Sequence, residues 1–196
     1  MSKYNTFEFS KFTYNEDSGL LKLFYKIDEL EFVEEINFNP NNKKLRQLTD
    51  IEKQALNLSF TYLHLVAGIS YYKLFLPENI NINTTKLSIE QKDFFDKLYF
   101  NGLGEFSFRN NVDLRNKINF PCSKESKNQA INIKLDNNYI VPIGGGKDSL
   151  VSLEILKALK NQKLYTFSVN SAKPIKESCE ISGCENILIT RKIAPL

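Results

Sequence analysis

Between residues 7 and 38 hydrophobic and polar side chains tend to alternate, most regularly at Leu21, Leu23, Tyr25 and Ile27 and again at Leu30, Phe32, Ile36 and Phe38. A period of two with many aromatics predicts strands with one buried face. Asn15-Glu-Asp-Ser-Gly19 separates two of them, and its Asn, Asp and Gly tolerate the dihedrals of a chain reversal. The opening segment therefore reads as a small antiparallel meander. At Thr49-Asp-Ile-Glu52 the period changes to that of a helix, because a threonine followed three places later by glutamate can cap two free backbone N–H groups. Ile51, Ala55, Leu58, Tyr62, Leu65 and Ile69 continue at steps of four and three, predicting a helix that is apolar on most sides and runs to about Leu74. Pro77 and the Asn-rich stretch to Thr85 close it. Ser88-Ile-Glu-Gln91 opens a second capped helix that carries Phe94, Phe95, Leu98 and Tyr99 and ends near Gly102. Gly104 to Phe120 has no single period. Residues 121–130 are polar and aperiodic, which places a domain boundary there.

Beyond residue 130 strands and helices alternate: a strand at 138–143, a helix at 147–160, a strand at 163–169, a short helix or turn, and a strand at 186–190. Strand, helix, strand with short connections predicts a parallel, helix-flanked sheet. The fold class is thus α/β, with an N-terminal α+β domain over 1–130 (the antiparallel meander and buried helices) and the start of a parallel-sheet domain over 131–196. A doubly wound sheet usually has about five or six strands, and only three are visible here. The reading therefore expects the rest of a longer protein, or a second chain, to complete the sheet.

Composition limits the function classes. Of 196 residues, 42% are hydrophobic and 25% charged, an ordinary globular balance, and 26 basic against 23 acidic residues leave a formal charge of +3 spread along the chain. Nothing in that balance points to nucleic acid or membrane. No window approaches the roughly 18 unbroken apolar residues of a membrane span, and the N-terminus lacks the pattern of a signal peptide. A cytoplasmic location is expected, with Cys122, Cys179 and Cys184 reduced.

The chemistry concentrates in Tyr139-Ile-Val-Pro-Ile-Gly-Gly-Gly-Lys-Asp-Ser-Leu150. Three glycines after a β-branched strand let the backbone turn and bring several N–H groups to one point. A helix starting at once afterwards adds unpaired N–H groups and the positive end of its dipole, which together attract phosphate. Lys147 contributes a charge, Ser149 a hydroxyl, and Asp148 a carboxylate suited to Mg²⁺ bridging phosphate oxygens. The P-loop spacing fails, because Val141 stands five places before Gly146 and Asp148 follows the lysine. The dinucleotide fingerprint fails too, because the third residue after Gly146 is Ser149. Gly144-Gly-Gly-Lys-Asp-Ser149 resembles the PP-loop of the N-type ATP pyrophosphatases, with Gly144 where that family usually has serine. The resemblance implies ATP cleaved between its α and β phosphates, a pyrophosphate cradle at Gly144, Gly145, Gly146, Lys147, Asp148 and Ser149, and adenine near Ser168, Val169 and Asn170 at the end of the second strand.

About 135 residues precede the loop, an extension that most PP-loop enzymes lack. Leu63-His-Leu-Val-Ala-Gly-Ile-Ser-Tyr-Tyr-Lys73, Asn101-Gly-Leu-Gly-Glu-Phe106, Asn110 and Pro142-Ile-Gly-Gly-Gly-Lys-Asp-Ser149 are together similar to the bacterial UDP-N-acetylmuramoyl-L-alanyl-L-glutamate epimerase family. That resemblance implies an ATP-dependent epimerase, with Mg²⁺, acting on a nucleotide-sugar peptide. Another PP-loop ligase or tRNA-modifying enzyme, and an inactive truncated fragment, remain as alternatives. Acid–base candidates are His64, Lys73 and Glu105, with Tyr72 beside them. Each has a plain reading as well: a buried core histidine, which is preferred, a solvated helix-end lysine, and an exposed glutamate. Cys179 and Cys184 read as incidental or structural thiols ahead of a catalytic pair, and three cysteines with one distant histidine do not match familiar zinc spacings.

Overall fold

The computed structural model describes residues 4–41, 43–44, 46–126, 130–159, 162–170 and 172–195. They form two compact units. The first holds residues up to Thr13, Leu23–Val33 and Leu48–Ile133, and the second Tyr14–Lys22, Glu34–Gln47 and Lys134 onward. The polar segment 121–130 expected as the boundary has residues 127–129 outside the described set, and the division falls at Ile133 instead. The second unit also takes in the tip of the opening hairpin and half of the third strand, a mixing of early and late residues that local patterning cannot reveal.

β1 (Thr6–Asn15), β2 (Leu20–Ile27) and β3 (Leu30–Asn37) form the meander, of which Thr6–Thr13, Leu23–Ile27 and Leu30–Val33 belong to the first unit. Strict alternation on β2 buries Leu21, Leu23, Tyr25 and Ile27. β4 (Asn79–Ile82) adds on the far side of β1 and runs parallel to it, pairing Thr6 with Asn79 and Phe9 with Ile82. Sequence reading passed over this strand, because its Asn-rich composition disfavours strand and the pairing partner lies more than 70 residues away. The Asp28 carboxylate accepts from the Asn5 and Thr6 N–H groups at 2.9 Å each, tying the start of β1 to the β2–β3 turn.

α1 (Asp50–Ala67) starts at the expected capping box: Thr49 and Glu52 bond each other's backbone. The expected single helix to about Leu74 is divided at Gly68 into α1 and α2 (Ile69–Phe75). A Cβ at Gly68 would overlap the edge of the Phe9 ring and come within 3.1 Å of Tyr25 Cε1. Only a residue without a side chain lets the helix lie this close to the sheet. Gly68→Ala is expected to lower stability by about 2 kcal/mol through overpacking, read as a lower urea midpoint at unchanged m-value. α3 (Ile89–Gly102) begins at the second capping box, where Ser88 and Gln91 reciprocate, and α4 (Gly104–Asn110) lies in the stretch without a clear period. Phe7, Phe9, Tyr25, Tyr72, Phe95, Tyr99 and Phe120, all buried, make an aromatic core in successive ring contacts.

In the second unit, β5 (Tyr139–Pro142), α5 (Lys147–Lys157), β6 (Leu164–Val169), α6 (Lys173–Ser182) and β7 (Glu185–Lys192) follow one another. The predicted helix 147–160 ends sooner, and residue 160 is outside the described set. The segment expected as a short helix or turn is a ten-residue helix, α6. β5, β6 and β7 are parallel, with β6 central. The other edge of β7 pairs antiparallel with the end of β3, Asn37 facing Thr190 and Glu35 facing Lys192. There the fully buried Glu34 carboxylate accepts from Arg191 Nε at 2.6 Å. Val141, Ile143, Leu153 and Cys179 form the buried core of this unit, so α5 and α6 cover the same face of the sheet. Among the described residues no helix is long and apolar enough to cross a membrane.

Candidate functional site

Two anchors set the glycine loop. Val141 and Ile143 are buried, and the Ile143 N–H donates to the Phe167 carbonyl at 2.7 Å, so the chain leaves the end of β5 in a fixed direction. Leu153, buried, pins α5 on the other side of the loop. In between, Gly145 has φ +80°, and a Cβ there would stand 3.4 Å from Pro174 Cβ and 3.5 Å from Ile175 Cγ1 at the start of α6. Gly145 is thus called for by its dihedral, whereas its neighbours would meet a Cβ only at ordinary contact distance. Around Gly144 and Gly146 there is nothing within 4 Å of where a Cβ would lie.

Gly146 is the N-cap of α5, and no side chain caps the helix. The first-turn N–H groups are left to solvent or a ligand. Asp148 lies in that first turn, exposed together with Lys147. Ser149 Oγ donates to the Gly146 carbonyl at 2.9 Å, which ties the hydroxyl to the loop backbone and stiffens it. Open space above two glycines, uncapped N–H groups at a helix N-terminus and an exposed lysine together suit an anionic oxygen cluster. Among the described residues no group of three or more His, Cys, Asp or Glu is arranged to hold a metal ion. Mg²⁺ commonly uses only one or two protein carboxylates beside phosphate oxygens and water, so Asp148 alone fits a phosphate-bound Mg²⁺.

The end of β6 divides the three residues expected near adenine. Ser168 is buried: its hydroxyl accepts from Asn186 Nδ2 at 3.0 Å, and Thr166 Oγ1 donates to Asn186 Oδ1 at 3.1 Å. Val169 points to the opposite face and is exposed. Asn170 is left-handed at φ +58°, its N–H donates to the Ile189 carbonyl at 2.8 Å, and its side-chain amide holds the Arg191 backbone at both N–H and C=O. Asn170 therefore locks the ends of β6 and β7 together. Ser168 and Asn170 line a cleft of about 510 Å³, with Asn186, Ile175, Cys179 and Cys184 among its other walls. Ile175 both lines the cleft and lies beside Gly145, so the first turn of α6 borders the loop and the cleft.

Sequence reading missed Asn186 and the α6 residues. A signal existed: Thr166, Ser168 and Asn186 place three polar side chains on the helix-covered face of a parallel sheet, where apolar residues are the rule. Cys179 is buried in the core of this unit and half-buried Cys184 packs against it; the Cys184 thiol donates to the Ser182 carbonyl, and both thiols are free.

The remaining candidates belong to the first unit. His64 is fully buried, and Nε2 donates to the Phe24 carbonyl at 3.0 Å between the Phe9, Phe12 and Tyr25 rings. Nδ1, also buried, has no partner, so protonation would add a charge and a donor that nothing accepts. Burial accordingly lowers its pKa from 6.5 to about 4. Tyr72 is buried as well, donates to the Lys117 carbonyl at 2.9 Å, and has its pKa pushed up by desolvation and by Asp96. Lys73 is exposed in the last turn of α2. Glu105 is exposed in the first turn of α4 and accepts from Arg109 Nε at 2.7 Å. These four side chains do not converge on a shared group: two are in the core and two face solvent.

Residues 1–196 match the sequence profile of the MurL N-terminal domain. A protein of Xanthomonas oryzae pv. oryzae named UDP-N-acetyl-alpha-D-muramoyl-L-alanyl-L-glutamate epimerase is 31% identical over 191 residues, covering 97% of this chain and 42% of that protein. Proteins of the same name from a Micromonospora species and from Salinispora tropica are 32% and 31% identical over 141 and 137 residues, covering 68% of this chain in each case and 30% and 29% of theirs. The chain thus spans less than half the length of the curated relatives it matches. No solved structure matches.

Proposed function

The chain belongs to the MurL N-terminal domain family, and from that premise we propose that it supplies the phosphate-binding half of an ATP-dependent epimerase that converts the terminal L-glutamate of UDP-N-acetylmuramoyl-L-alanyl-L-glutamate to D-glutamate for peptidoglycan precursor synthesis in the cytoplasm. The observation that carries the reading is the uncapped N-terminus of α5 behind three glycines, two of them facing open space. The names of the relatives supply the substrate.

The chemistry has a physical logic. The α proton of a glutamate residue is very weakly acidic while the neighbouring carboxylate is anionic. Joining that carboxylate to the α phosphate of ATP, with loss of pyrophosphate, removes the charge and lets the enolate form. A base removes the proton from one face, an acid returns it on the other, and hydrolysis of the acyl adenylate releases AMP and restores the carboxylate of a terminal D-glutamate still joined to the peptide. The loop's part is to bind and hold the β and γ phosphates as they leave: N–H groups of Gly146, Lys147 and Asp148 and the Lys147 ammonium face the charge that develops on pyrophosphate. Asp148 would carry Mg²⁺, which supplies further neutralisation of the phosphate oxygens.

The assay is AMP release that depends on UDP-N-acetylmuramoyl-L-alanyl-L-glutamate, with deuterium from solvent entering the glutamate α position, by the chain in its full-length context. No such release would overturn the reading. Lys147→Ala is expected to lower kcat/KM for ATP about 30-fold, near 2 kcal/mol for a lost charged hydrogen bond. Because the side chain is exposed, the thermal midpoint should stay within a degree or two.

A further inference from the structure

We propose that the outer face of α5 and the free edge of β5 are covered, in the full-length protein, by the polypeptide that makes up the larger part of the longer relatives.

α5 carries apolar residues outside its inner face as well as on it. Leu153 and Leu156 face the core of the second unit, yet Val151 and Ile155, one turn apart, are 58% and 63% exposed. Single exposed apolar residues need no explanation. Two in register on a helix whose inner face is already satisfied do, because an exposed valine and isoleucine at those positions contribute nothing to this unit's own core. The strand beneath is in the same condition. β5 has β6 on one side only, and Ile140, whose N–H and C=O point to the other edge, is 58% exposed. Pro142 has no N–H to give, so an added strand would be held by both backbone groups of Ile140 and the Pro142 carbonyl. Parallel sheets are almost always enclosed by further layers and strands.

The occupant follows from length. The Xanthomonas protein matches 97% of this chain with only 42% of its own residues, leaving more than half of a protein to pack somewhere. A second copy of this chain would pair β5 with its own mate about a two-fold axis in the antiparallel sense, which does not extend a parallel sheet. A further parallel strand at β5 would also place the sheet's reversal point beside the glycine loop, where open α/β sheets bind ligands. This inference rests on the sheet and the helix and holds for any substrate.

The test compares thiol reactivity in two intact proteins. Ile155→Cys is introduced in this chain, and a cysteine at the matching position of the Xanthomonas relative; both are treated with iodoacetamide, and the peptide is followed by mass spectrometry alongside sedimentation. The expected result is labelling of this chain, as a monomer, within a few-fold of a free thiol, and labelling at least 100-fold slower in the relative. Fast labelling in the relative overturns the proposal. Slow labelling in this chain also overturns it: with a dimer by sedimentation the cover is a second copy, and with a monomer it is the chain itself. Neither readout involves ATP or turnover, so failure here leaves the epimerase reading untouched, and the reverse holds as well.

Discussion

Phe120→Ala is expected to destabilise the first unit by about 4 kcal/mol, the usual cost of emptying a buried phenylalanine site. Phe120 is fully buried, and its ring lies 5.4 Å from that of Phe95, 4.9 Å from Tyr99 and 5.9 Å from Phe9, between α3 and β1. All three neighbours are large rings held in place by further contacts: Tyr99 donates to the Leu65 carbonyl at 2.6 Å, and Phe9 stands edge-on to Phe7. They cannot collapse into the space. The backbone at Phe120, whose N–H is held by Asp96 Oδ1 at 2.8 Å, keeps its position in the variant, so the loss is one of packing. Urea unfolding followed by tyrosine fluorescence should show a fall in midpoint, and a change under 1 kcal/mol would refute this account of the core. Phe108→Ala is the control, because Phe108 in α4 is 86% exposed and surface truncations usually stay within about 0.5 kcal/mol.

Acidification should remove a similar amount. His64 has a folded pKa of about 4 against 6.5 unfolded. The unfolded state therefore binds the proton first as pH falls. The contribution of a neutral, buried imidazole is complete above pH 6.5 and declines between 6.5 and 4, and below that both states are protonated. A shift of that size is worth about 3 kcal/mol at 1.36 kcal/mol per unit. Glu35, held below the ordinary carboxylate range by Lys22, and Asp113, held at about 2 by Arg115, also favour the folded state at neutral pH, but their losses begin near pH 4.5 and below. The window from 6.5 to 4.5 isolates the histidine. Urea midpoints across it should fall in the native chain and stay nearly level in His64→Gln, whose amide can still donate toward Phe24. A parallel slope in both would show that His64 is not the group responsible.

His64 also illustrates what was legible and what was not. Its place in an apolar helix was readable from its neighbours, and the preference for a core histidine over an acid–base group followed from that. The partner was not readable, because the Phe24 carbonyl lies forty residues away across β2. Gly68 has the same character: within the helical pattern it is only a weak residue, and the closeness of Phe9 and Tyr25 that requires it exists only after folding. At the loop, the three glycines, Lys147, Asp148 and the helix behind them were plain in the order of residues, whereas the contact of Gly145 with Pro174 and Ile175 was not.

What the sequence determined by itself is therefore local: the capping boxes at Thr49 and Ser88, the alternation that buries one face of β2, and the glycine turn opening α5. Each is set by residues within a few positions of one another, through backbone dihedrals, caps and the period of burial. Only the tertiary structure decided the parallel pairing of β4 with β1, the antiparallel join of β3 to β7, the role of Asn170 in clamping β7, and the polar cleft under α6. Those depend on which surfaces meet across tens to more than a hundred residues. Such meetings are selected by the total burial and hydrogen bonding of the assembled chain, to which no single stretch of sequence holds the key.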